Sequence, residues 1–179
     1  MRKIYILGTV HDKLTTKYKN DLEYWLKKIN PDQVLVEIVK KHLKTNKIKI
    51  YAKEMIYTYK WAIKNKKKTD GFDSDIEITK KGLSKKQLKR MVRKMKKWSY
   101  KNKFDWKSFN KKSAYKKYEK VFPNESYIDL IKDKKREKVM LHNINKRIIK
   151  KGIVLIITGS AHLKFLEKHL KKAIFPLRN

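Results

Sequence analysis

The sequence predicts an α/β fold, a central and mostly parallel sheet flanked by helices, with a basic helical insertion. Three observations carry that reading. Apolar runs rich in β-branched residues stand at Lys3–Leu7, Val34–Ile38 and Ile153–Ile157, and such runs suit strands buried on both faces. Helical periodicity fills the chain between them, the alternation expected of parallel pairing. Two Gly-x-x-His motifs, Gly8–His11 and Gly159–His162, follow the first and last runs.

The elements follow in order. Residues 3–7 form the first strand, and Gly8 to Asp12 the loop after it. A helix is expected over 16–29, with Tyr18, Leu22, Trp25, Leu26 and Ile29 at helical spacing. Asn30-Pro31-Asp32 ends it, because proline cannot continue the hydrogen-bond ladder. Residues 33–38 make the second strand. A helix near 52–66 presents Met55, Ile56, Tyr59 and Ile63, and Lys68 to Phe72 make a further short strand.

The middle of the chain is different. Ser84-Lys-Lys-Gln87 has the pattern of a capping box, and Leu88, Met91, Val92, Met95 and Trp98 form one apolar stripe. Between Lys80 and Lys120, 18 basic residues face only Asp105 and Glu119. Residues 77–125 are therefore expected to form a lysine-rich helical insertion, a flap over the sheet edge, within one domain spanning 1–179. Its aromatics, Trp98 to Tyr118, either pack beneath a solvated face or stack on nucleic acid; packing is the preferred reading. A long helix is expected over 126–150, with Met140, Ile144 and Ile148 on one ridge and Arg136 one turn before them. Gly152 is expected to close that helix. A last helix carries Leu163, Leu166 and Leu170.

Composition bounds function. Of 179 residues, 50 are basic and 17 acidic, a formal charge of +33, and there is no cysteine. Thiolate metal sites and cysteine nucleophiles are thereby excluded. No apolar stretch approaches the roughly 20 residues of a membrane span, and the expected location is cytoplasmic. Such a charge attracts polyanions. Only six of the basic residues are arginine, so either an AT-rich genome or a point-charge polyanion surface accounts for the lysines.

The candidate chemistry lies at the strand ends, because open α/β sheets bind ligands beyond their carboxyl edge. His11, Glu37 and His162 form the candidate metal or acid–base set. A helix N-terminus disfavours a charged imidazole, so His162 is expected neutral, the metal-ligating form. Glu37 within an apolar run needs a balancing cation, either a metal or Arg136, unless it lies at a solvated strand end. Asp73 either completes this site or, with Asp70-Gly71 making a turn, shares with Ser74 the place of a helix cap. Thr9 and Ser160 either orient water or substrate or make loop and capping bonds, the preferred reading. No Gly-x-Ser-x-Gly elbow or phosphate-binding Gly-x-x-x-x-Gly-Lys motif is present.

Gly8-Thr-Val-His11, Pro31-Asp-Gln-Val-Leu-Val-Glu37, Arg136-Glu-x-x-Met140 and Gly159-Ser-Ala-His162-Leu resemble the TraB/pheromone-shutdown and Tiki superfamily, which is related to erythromycin-esterase and ChaN-like proteins. The resemblance spans about residues 3–170. It implies a divalent-metal hydrolase of peptide or amide bonds, using manganese, cobalt or zinc, with a peptide or small-molecule substrate. It makes His11, Glu37 and His162 the ligands, Glu37 alternatively the base, and Arg136 the group holding an anionic intermediate or the glutamate. The competing expectation is a non-catalytic module with a vestigial site that binds nucleic acid or another anionic surface weakly and without sequence preference.

Overall fold

The computed structural model describes residues 1–10, 14–75, 105–121 and 134–178, with Arg90, Arg93, Lys94, Lys97, Trp98 and Lys101 between them. His11, the capping box at 84–87, the stripe residues 88–95 and the first part of the expected long helix, 126–133, lie outside the described residues.

Four parallel strands form the sheet: β1 (Arg2–Thr9), β2 (Gln33–Val36), β3 (Lys68–Gly71) and β4 (Gly152–Gly159), in the order β1-β4-β2-β3. The α/β class is as the sequence predicts. Side chains alternate across the sheet, as the strand period of two requires. On one face Leu7, Val34, Val36, Leu155 and Ile157 pack beneath α1 (Thr16–Ile29) and α2 (Lys53–Lys64). On the other, Ile4, Ile6, Leu35, Val154 and Ile156 meet Met140 and Ile144 of α4 (Lys134–Arg147) and Leu163 and Leu166 of α5 (Leu163–His169).

Helix α1 spans the expected residues. Thr15 caps its start by accepting from the Tyr18 amide, and Asn30 ends it in the left-handed region at φ 42°. Three local expectations are corrected. β1 runs through Gly8 and Thr9, because both pair in register with β4. Ile63 is exposed, and Trp61 and Ala62 turn inward in its place. Gly152 does not close the preceding helix, which ends at Arg147; it opens β4 at φ +101°, where an added Cβ would lie 2.5 Å from Asp32 Oδ2.

Part of the basic insertion lies against the carboxyl end of β1. Between it and α3 (Lys112–Val121), Asn110 accepts from the Gly8 amide at 2.7 Å and donates to the Gly8 carbonyl at 2.8 Å. Trp106 stacks on Tyr18 with centroids 5.2 Å apart and is buried, so this aromatic packs, the preferred of the two readings. Among the described residues, no helix is long and apolar enough to cross a membrane.

Candidate functional site

The sheet brings Glu37, Asp73, Arg136 and His162 together from four separate segments. Glu37 follows the last residue of β2, and its amide still bonds to Ile157 on β4. Asp73 stands two residues beyond β3, and its amide bonds to Ile38. That approach needs a glycine at 71, where a Cβ would lie 2.2 Å from the Ile38 carbonyl oxygen. His162 ends a short 3-10 turn after β4. Arg136 reaches in from the first turn of α4 on the same ridge as Met140 and Ile144, which are fully buried.

The guanidinium of Arg136 is the hub. It donates through Nη2 to Glu37 Oε1 at 2.7 Å, and through Nε and Nη2 to the two oxygens of Asp73 at 2.9 Å each. Its Nη1 lies 3.3 Å from His162 Nε2. Of the two balancing cations expected for Glu37, the one that meets it is Arg136. Burial opposes its charge, but the two carboxylates hold its pKa above the ordinary value. Asp73 thus joins this cluster, and its Oδ1 also accepts from the Ser74 amide at 2.7 Å; the helix it was expected to cap lies outside the described residues. Burial, with Glu37 adding to it, raises the Asp73 pKa despite Arg136.

His162 departs from the neutral form expected. Burial disfavours its charge, yet Glu37 and a hydrogen bond to Glu137 prevail and lift its pKa to about 9. Nδ1 faces Glu137 Oε1 at 3.0 Å and Nε2 faces Glu37 Oε1 at 3.5 Å. The expectation weighed only the helix end. His162 does stand at the N-cap of α5, but the charges of the two nearby carboxylates outweigh the dipole of that helix end. Nε2 thus faces an acceptor, Glu37 Oε1, and a donor, Arg136 Nη1, at the same time; the protonated ring donates to the carboxylate.

Thr9 Oγ1 donates to the Thr158 carbonyl at 3.2 Å, tying β1 to β4, and Ser160 opens the 3-10 turn that carries His162. The Thr9 bond fits the preferred structural reading. Glu137, Thr158 and Asn110 escaped the sequence reading. Glu137 stands inside the Arg136-Glu-x-x-Met140 motif, and its position beside Arg136 was the available signal.

Whether these groups fit a divalent ion turns on the lone pairs of Glu37. Oε1 faces Arg136 and His162, while Oε2 accepts from Thr158 Oγ1 at 2.7 Å and from the Gly159 amide at 2.6 Å. A carboxylate has about four lone-pair sites, and all are engaged. Arg136 already touches Glu37, Asp73 and His162 together, as a shared metal ion would. The described residues as arranged do not fit such an ion, and among them no group of three or more His, Cys, Asp or Glu residues could hold one.

No family model, curated protein or solved structure matches the chain. The TraB/Tiki resemblance therefore rests on the motifs alone.

Proposed function

We propose that this cluster is the active centre of a hydrolase acting on peptide or amide bonds. The observation that carries the reading is the buried His162 ring, held at Nδ1 by Glu137 and facing Glu37 and Arg136 at Nε2. Ionisable groups clustered at a carboxyl sheet edge are expensive to bury and mark functional sites. The motif resemblance adds the reaction class.

In this reading, protonated His162 gives its Nε2 proton to the leaving amine, and Arg136 takes over Nε2 afterwards. Asp73 is the base for water. Its Oδ2 accepts one hydrogen bond, from Arg136, so a lone pair remains, and its raised pKa strengthens it as a base. Glu37, with its oxygens engaged, is a positioning residue rather than the base or ligand first expected. No step runs through a metal.

The test is hydrolysis of a mixed peptide library by the purified chain, with and without manganese, cobalt or zinc. Wild-type protein should cleave members of the library without added metal. Asp73→Asn and His162→Ala should each lose at least a hundredfold while keeping the wild-type circular dichroism spectrum. Turnover abolished by a chelator and restored by one of these ions would replace this mechanism with a metal-dependent one. Absence of cleavage under every condition, or variants as active as wild type, would overturn the hydrolase reading.

A further inference from the structure

We propose that the outer surface of α1 and α2 binds single-stranded nucleic acid. The two helices pack side by side on one face of the sheet, and their outward sides carry exposed Lys19, Lys27, Lys28, Lys60 and Lys64. Of the acids on α1, Glu23 offsets one of these lysines, Lys27, and Asp21 offsets Lys107 from the basic segment. Asp21 pairs with Lys107 at 2.6 Å, and Glu23 accepts from Lys27 at 2.8 Å and from the Tyr57 hydroxyl at 2.6 Å.

Aromatic rings are set among these lysines. Tyr24 is 55% exposed and meets Trp25 edge-on, with centroids 5.6 Å apart. Lys28 Nζ lies 5.4 Å from the Tyr24 ring and 4.9 Å from that of Trp25, and Lys19 Nζ lies 5.3 Å from the Tyr57 ring. Lys28 Nζ donates to the Tyr24 hydroxyl at 3.2 Å, at the edge of that exposed ring, so charge stands next to an open ring face, the arrangement in which a base stacks while its phosphate meets the ammonium. Lysine alone does not single out this surface, because α4 and α5 also expose Lys135, Lys138, Lys164 and Lys168. On that side Phe165, which lies against His169 with centroids 4.2 Å apart, is half-buried, whereas Tyr24 presents most of its ring to solvent. Stacking needs an unpaired base, which selects a single strand over a duplex. Few arginines and many lysines predict little sequence preference.

The test is fluorescence anisotropy of labelled 15-nucleotide oligouridylate and oligothymidylate, and of a matched duplex, titrated with the full chain at several salt concentrations. Tyr24→Ala should weaken single-strand binding roughly fivefold to a hundredfold, and Tyr24→Phe should restore it. Replacing Lys19 and Lys28 by Gln should reduce the slope of log affinity against log salt by about 0.7 per lysine. Lys164→Gln with Lys168→Gln should leave affinity within about twofold, those residues lying outside the contacted phosphates. Unchanged binding by Tyr24→Ala, or a duplex held as tightly as the single strand, would overturn the proposal. So would preferential, Tyr24-dependent binding to phosphatidylcholine vesicles containing phosphatidylserine, which would make the surface a membrane contact.

Discussion

Arg136 Nη2 donates to Glu37 Oε1 at 2.7 Å across 99 residues of chain, with side-chain exposures of only 10% and 4%. A buried pair of this kind is costly to break, because the surviving charge keeps its burial and loses its partner. Arg136→Met should therefore destabilise the protein by roughly 3–5 kcal/mol in urea unfolding. Arg136→Lys should recover only part of that loss, since an ammonium cannot reproduce the two-point contact with Asp73. A loss below about 1 kcal/mol for Arg136→Met would place the pair among weak surface contacts.

His162 makes stability depend on alkaline pH. Its pKa rises from the ordinary 6.5 to about 9, so the folded state binds the proton more tightly than the unfolded one. The contribution is fully present below about pH 6.5 and is lost as pH rises through about 9, a change of about 3 kcal/mol. Thermal unfolding followed from pH 6 to 10 should show Tm falling, and His162→Gln should flatten that fall. A wild-type Tm independent of pH over this range would contradict the charged ring.

Glu137 sets that charge together with Glu37. Glu137→Gln keeps an oxygen to accept from Nδ1–H and removes the negative charge. The His162 pKa, read from its ring resonances by NMR, should then fall from about 9 toward 6.5. An unmoved titration would assign the whole rise to Glu37.

Asn110 ties the basic segment to the end of β1. It is 2% exposed, accepts from the Gly8 amide, and donates to the carbonyls of Gly8 and Trp106. Asn110→Ala leaves those buried backbone groups unpaired and should cost roughly 2–4 kcal/mol. The Gly8 amide should lose protection in hydrogen exchange ahead of the central strand amides. Equal protection in the variant would show that the segment does not clamp the strand.

Local patterning determined most of the fold. Tyr18, Leu22, Leu26 and Ile29 marked the buried side of α1, and Asn30-Pro31 its end. The apolar runs marked β1, β2 and β4, and their β-branched composition predicted burial on both faces. The pairing of Glu37 with Arg136 was legible for an energetic reason: an arginine on an apolar ridge and a glutamate beside a buried strand each need an opposite charge. Tertiary structure decided the rest. The order β1-β4-β2-β3 seats β4 between β1 and β2, and that neighbourhood gives Glu37 the Thr158 hydroxyl and Gly159 amide, more than 120 residues away. It also sets Glu137 against His162, reversing the ring's expected charge. Periodicity is a property of neighbours in sequence and fixes which side of an element is buried. A side chain's charge and bonding depend on whichever groups the packed elements bring within about 4 Å, and no local pattern encodes that meeting.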